Sequence, residues 1–144
     1  YTIFRFFNTY GPNQSDDFVI PRFLKSALNG SEIKIYGDGK QTRTFCYIDD
    51  NVEACINTIH NNSCINDVVN IGSDIEISII DLAENIKEIV GSKSKIIHLP
   101  PLKEGDMTRR CPDITKMKLL LNRKLTTLEE GISFMIKSYK QKNK

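Results

Sequence analysis

The four cysteines of this 144-residue sequence, Cys46, Cys55, Cys64 and Cys111, form no C-x-x-C pair, and only His60 and His98 could join them as ligands. That pattern argues against a zinc site, and scattered single thiols suit a reducing cytoplasm. Charge of one sign is missing too. Twenty Lys and Arg against 18 Asp and Glu leave a net +2, too even to argue for nucleic acid or a membrane surface as partner. Any anion site must therefore be local. No apolar run approaches the ~18 residues of a membrane span, and no basic-then-apolar stretch opens the chain. There is no internal repeat and no low-complexity linker. Position 1 is Tyr rather than Met, which makes a piece of a longer reading frame the expectation.

A dinucleotide fingerprint is also absent. Gly37 and Gly39 supply Gly-x-Gly, but Thr42 stands where the third glycine belongs and no helical pattern follows. The stretch reads as a turn.

What is present is an ordinary globular composition, 40% hydrophobic and 26% charged, long enough to bury a core. Thr2 to Phe7 is apolar at nearly every position, the pattern of a strand covered on both faces inside a parallel sheet; a hydrophobic edge strand is the alternative. Asn8-Thr9-Tyr10-Gly11-Pro12 breaks it, at the strand end where open α/β folds bind ligands. Pro21 suits the first turn of a helix with Phe23, Leu24, Ala27 and Leu28 inward, closed by Gly30. Asp50 and Glu53 read as an N-cap pair for a helix burying Val52, Cys55, Ile56 and Ile59. Val68 to Ile71 is a short strand. Ser78 opens a helix with Ile79, Leu82, Ala83, Ile86 and Val90 on one face and Gly91 past its end. Lys95 to Leu99 is a strand stopped by Pro100-Pro101, and Lys103 to Arg110 a polar loop. Asp113 can cap a short helix holding Ile114, Met117, Leu120 and Leu121. Thr127 with Glu130 makes a capping box for a last helix burying Leu128, Ile132, Met135, Ile136 and Tyr139.

The stretch Ile33 to Asp50 organises the rest. Two strand-like runs flank Gly37-Asp38-Gly39, and a chain reversing there could hold Arg43 close to whatever lies against Ile35 and Tyr36. Such a turn would cradle a base and a phosphate. Arg43 and Arg110 can each form forked, charge-assisted bonds to phosphate oxygens. Equally, each could pair locally, Arg43 with Asp38 or Asp49 and Arg110 with Asp106 or Asp113.

Four segments in order, RFFNTYGP at 5–12, IYGDGKQTRTFCYIDD at 35–50, VNIG at 69–72 and RRCPDITKMK at 109–118, resemble the extended short-chain dehydrogenase/reductases. These NAD-dependent enzymes are the sugar-nucleotide epimerases, dehydratases and decarboxylases. The resemblance covers nearly the whole chain and only the C-terminal part of such an enzyme. It implies an α/β fold, with residues 1–12 as the last part of a Rossmann sheet and 13–144 as a nucleotide-sugar-binding domain of mixed short strands and helices. By the same resemblance Arg43 and Arg110 grip a nucleotide diphosphate, while Lys34, Ile35 and Tyr36 hold a uracil or thymine ring. Asn8 lies at the sugar-diphosphate and Phe7 beside the nicotinamide of NAD. Asn70 is a candidate phosphate contact and Asp106 a candidate ribose contact; a buried strand Asn satisfying backbone groups and an exposed charge are their structural alternatives.

The family's catalytic Tyr and Lys, four residues apart, lie upstream of the strand ending in Asn8, so no catalytic residue and no metal ligand is expected here. Tyr36 and Lys40 share that spacing across a turn rather than on a helix. The expected function is the UDP-sugar-binding portion of an enzyme that works through a 4-keto sugar, inactive by itself, cytoplasmic, with an intact parent that is a homodimer. GKQTRTFCYIDD and RRCPDITKMK look closest to UDP-glucuronate decarboxylases and UDP-glucose 4-epimerase relatives. Dehydratases usually read Arg-Asp-Trp where this chain has Arg43-Thr44-Phe45, and decarboxylases often carry an Arg that Ser15 to Phe18 lacks. The rival reading is a non-enzymatic nucleotide-binding or interaction module.

Overall fold

The computed structural model describes residues 1–101 and 108–142. Its chain folds as two compact units, each assembled from three separate segments.

The first unit combines Tyr1–Tyr10, Thr44–Glu76 and Cys111–Leu128. Strand β1 (Thr2–Phe6) runs parallel to a partner at Asp67–Ile71, with Phe4 opposite Val69 and Phe6 opposite Ile71. A second parallel pair joins β2 (Thr9–Tyr10) to Cys46–Tyr47, with Thr9 opposite Cys46. The parallel pairing expected of the opening strand is present. Within this chain Ile3 and Phe6 are exposed. Val69 and Ile71 instead anchor a core with Cys46, Ala54, Ile114, Met117, Leu120 and Leu121.

The second unit holds Gly11–Arg43, Ile77–Arg110 and Glu129–Lys144. Helix α1 (Val19–Leu28) buries Ile20, Phe23, Leu24 and Ala27, although Leu28 stays at the surface. After Gly30, whose φ is +66°, comes β3 (Ile33–Tyr36) with Ile33 and Ile35 inside and Lys34 and Tyr36 outside. Next is β4 (Thr42–Thr44), and the first unit then resumes with β5 (Cys46–Tyr47), α2 (Ile48–His60) and β6 (Asp67–Ile71). The remaining elements are β7 (Glu76–Ser78), α3 (Ile79–Val90), β8 (Ile96–Leu99), β9 (Arg109–Arg110), α4 (Thr115–Leu121) and α5 (Leu128–Lys142). Helix α3 is bounded as its sequence predicts. The Ser78 hydroxyl accepts from the Asp81 N–H, and Gly91 turns left-handed at φ +69°.

Two expectations fail for physical reasons. The run through Gly37-Asp38-Gly39 closes no hairpin: β3 pairs in parallel with β8, whereas β4 lies between β7 and β9. Gly37 and Gly39 are both left-handed, and the carbonyls of Gly39 and Gln41 accept the N-terminal amides of α3 from Ile80 and Ile79, so the chain follows the helix instead of doubling back. The second failure is α2. It starts at Ile48, so Asp50 sits in its first turn rather than capping it, and the stripe Val52, Ile56, Ile59 faces outward. Its inward face is Asp50, Asn51, Ala54 and Thr58. Polar groups can occupy that face because most of them find partners, the Asn51 Oδ1 being the exception. The Asp50 carboxylate takes the N–H and hydroxyl of Thr126 at 2.9 Å each and the Arg123 guanidinium at 2.8 Å; the Asn51 amide donates to the Thr9 hydroxyl at 2.6 Å. Glu53, the supposed second cap residue, also binds Arg123, whose pKa these carboxylates raise, Glu53 foremost.

No helix among the described residues is long and apolar enough to cross a membrane.

Candidate functional site

Strand β3 has one partner and one open edge. Ile33 donates to Lys95 and Gly37 to Leu99, and a parallel ladder alternates, so residues 33, 35 and 37 bond toward β8 while Lys34 and Tyr36 turn their N–H and C=O the other way. No strand covers that edge among the described residues. The Tyr36 carbonyl accepts from the Gln41 side chain at 3.3 Å. That leaves, in order, the donor N–H and acceptor C=O of Lys34 and the donor N–H of Tyr36. Ile35, by contrast, points into the core at 1% exposure, so only its backbone neighbours can meet a ligand.

The turn after Tyr36 is held from three sides. Its Gly37 carbonyl lies 2.8 Å from the His98 ring Nδ1, and the two α3 amides hold Gly39 and Gln41. A Cβ on Gly39 would come within 3.2 Å of both Ile35 Cγ2 and Ile80 Cβ, so the close approach of helix and turn requires glycine. Such fastening pre-orders the segment that leads into Arg43.

Arg43 and Arg110 are register partners across the parallel β4–β9 pair. Residues opposite one another in a ladder project to the same face, with strands about 4.8 Å apart, so the two guanidinium-bearing residues stand side by side. Arg43 is half-buried and donates from Nη1 to the Thr42 carbonyl at 2.7 Å. Arg110 is exposed, and no carboxylate is paired with it among the described residues. Asp38 receives the Lys40 N–H, and Asp113 binds the N–H and hydroxyl of Thr115, which holds its carboxyl below the usual range. Asp106 lies outside the described residues.

The other candidates belong to the first unit. Asn8 follows β1 in a left-handed conformation, φ +38°, that is uncommon for a residue with a Cβ. Its carbonyl accepts from Cys46, yet its side-chain Nδ2 is buried without a hydrogen-bond partner. Phe7 bonds to the Ile71 carbonyl, and the Arg5 guanidinium lies 5.8 Å from its ring. Gly72 gives it room, since a Cβ there would lie 3.0 Å from Phe7 Cβ. The Asn70 amide donates to the Asp113 carbonyl at 2.9 Å, which ties β6 to the start of α4.

No group of three or more metal-ligating side chains occurs among the described residues. The Cys46 thiol, pushed up to about 12 by burial first and then by Asp50, is no nucleophile. The roles of Gln41 and His98 in holding the turn escape notice in the sequence, because their partners, the carbonyls of Tyr36 and Gly37, are set by the fold. The isolated β9 strand escapes as well, because Arg109-Arg110 has no strand propensity of its own.

Comparison with known proteins gives a consistent picture. Residues 1–72 match the model of the NAD dependent epimerase/dehydratase family. The UDP-N-acetyl-alpha-D-glucosaminuronate decarboxylase of Bacillus cytotoxicus is 43% identical over 125 residues, which is 81% of this chain and 39% of that protein. UDP-glucuronic acid decarboxylase 1 of Xenopus tropicalis is 38% identical, over 95% of this chain and 32% of its own length. The chain thus spans about a third to two-fifths of these relatives' length. Among solved structures, UDP-glucose 4-epimerase of Thermotoga maritima with UDP-glucose superposes with a TM-score of 0.88 at 31% identity, covering 100% of this chain and 47% of that one. UDP-glucuronic acid 4-epimerase of Bacillus cereus, in complex with UDP-glucuronic acid and NAD, gives 0.85 at 32%, covering 97% and 45%.

Proposed function

The chain belongs to the NAD-dependent epimerase/dehydratase family, and from that premise we propose that residues 13–144 bind the nucleotide end of a UDP-sugar while residues 1–12 belong with the dinucleotide-binding sheet. The observation that carries this reading is the side-by-side placement of Arg43 and Arg110, two permanent cations on one sheet face, which suits the two phosphates of a nucleoside diphosphate.

The open edge of β3 supplies the base. Its succession of donor, acceptor and donor complements the O2, N3–H and O4 of uracil or thymine, whereas cytosine offers acceptor, acceptor and donor. Lys34 and Tyr36 read the base through their backbone, and the exposed Tyr36 ring gives it an apolar neighbour.

NAD bound to the whole protein would supply a hydride acceptor and donor for the sugar. Of this chain, Phe7 and Asn8 would face it, and the unpartnered Nδ2 of Asn8 fits an amide or hydroxyl oxygen there. The catalytic acid/base and the pyrophosphate-binding glycines of the cofactor lie outside these residues, so this chain alone is inactive. Its contribution is positional. Holding the UDP end fixes the sugar against the reacting groups, and loss of that hold lowers turnover as well as affinity. The relatives above, UDP-uronate decarboxylases and UDP-sugar epimerases by name, support a UDP-uronate or UDP-hexose substrate.

Titration of the protein with UDP and with CDP tests the reading. UDP should bind at least about tenfold tighter, since cytosine mispairs two of the three base contacts. Equal affinities would remove the β3 edge from the site.

A further inference from the structure

Nothing so far uses Arg22. It projects from α1, half-buried, with its guanidinium carbon 5.9 Å from the centre of the Phe23 ring and 5.7 Å from that of Tyr36. Its Nε is buried and has no hydrogen-bond partner. Beside it runs a trough of about 540 Å³ lined by Arg22, Ser26, Gly30, Ser31, Glu32 and Lys34. Ser26 lies one helical turn beyond Arg22, and Lys34 is the residue whose backbone opens the free edge of β3.

A permanent cation with a shielded, unused donor is costly unless something completes it. A second phosphate is a poor candidate, because Glu32 shares the trough and would repel it. A neutral planar ring that carries carbonyl oxygens fits better. It offers a face for the guanidinium to stack on, an acceptor for Nε, and no charge for Glu32 to oppose. We infer that Arg22 is a base-binding residue, holding a uracil-like ring seated on the open edge of β3. The inference rests on the nucleotide reading above and adds to it the residue that closes the base subsite. Tyr36 supports Arg22 from the side by the same stacking that now holds the guanidinium in place.

Calorimetric titration of the intact protein with UDP and, separately, with inorganic pyrophosphate distinguishes the outcomes. Arg22→Ala should weaken UDP about fivefold, the ratio expected of one partly shielded cation–π contact, and leave pyrophosphate unchanged. Arg22→Lys should recover only part of the loss, because an ammonium group is not planar. Arg43→Ala should weaken both ligands. If Arg22→Ala binds UDP as the wild type does while Arg43→Ala is impaired, the Arg22 assignment is wrong and the diphosphate reading stands. Equal weakening of UDP and pyrophosphate by Arg22→Ala would also overturn it, since the residue would then act on the phosphates or on the fold. Should neither substitution alter either ligand, the nucleotide reading falls together with it.

Discussion

Removing the two arginines of the β4–β9 pair, singly and together, is the most searching test of the proposed diphosphate grip. Arg43 is half-buried and already oriented by its 2.7 Å bond to the Thr42 carbonyl, so little side-chain entropy is lost when it closes on a phosphate. A shielded, charge-assisted contact of this kind contributes about 1.5 kcal/mol or more, so Arg43→Ala should weaken UDP at least tenfold. Arg110 is exposed, and its contribution is screened to about 1 kcal/mol or less, roughly fivefold. As register partners they would hold one diphosphate, and a ligand already loosened by one loss has less to lose from the other. The double variant should therefore fall short of the product of the single effects by at least about 0.5 kcal/mol. Calorimetry at low salt and at about 0.5 M salt completes the cycle, because screening should erase the Arg110 effect before the Arg43 effect. Strict additivity, or an Arg110→Ala protein that binds as the wild type does at low salt, would show that the two residues do not share a ligand.

Gly39→Ala should destabilise the protein by about 2 kcal/mol, combining a left-handed alanine with contacts at 3.2 Å to Ile35 and Ile80. Gly30→Ala, equally left-handed but with open space around it, should cost about half as much; equal urea midpoints for the two variants would contradict the packing argument. Asp50→Ala removes a fully buried carboxylate from Arg123 and Thr126 and should cost about 3 to 5 kcal/mol in urea unfolding. A loss under about 1 kcal/mol would mean that water replaces the carboxylate freely. Asp67 is held below its usual pKa by Lys116 first and by the Val68 N–H. A carboxylate depressed in the folded state stabilises above its unfolded pKa and ceases to do so as pH falls through the lower folded value. Wild-type stability should thus decline below about pH 4, and Lys116→Ala should lose less over the same interval. Parallel acid profiles for the two proteins would dissociate Lys116 from that decline.

Where local chemistry and burial agree, the sequence is readable. Ser78 and Gly91 bracket α3 as their capping chemistry predicts, whereas Ile35, grouped with Lys34 and Tyr36 at the base, turns into the core. Helix α2 shows the opposite case. Hydrophobic periodicity assigns Val52, Ile56 and Ile59 to the core, yet those side chains lie outside and Asp50 lies inside. The deciding partners, Arg123 and Thr126, are far along the chain, so no window around α2 could reveal that the acid is satisfied.

The same distance separates what is legible in the proposed site from what is not. Gly37-Asp38-Gly39 announces a turn, but a turn's residues do not say which strands it joins, and a hairpin would have set β4 beside β3. Parallel pairing to β8 and β9, contributed by later segments, does two things that a hairpin would not. It leaves the second edge of β3 open, so that backbone groups can meet a base, and it brings Arg110 to the flank of Arg43. Both depend on the α3 amides drawing Gly39 and Gln41 aside, for which Gly39 must lack a Cβ. The base edge and the arginine pair are thus consequences of one turn held by one helix terminus. A substitution that displaces that turn should impair base recognition and phosphate binding together, whereas Arg22 and Arg43 substitutions should separate them.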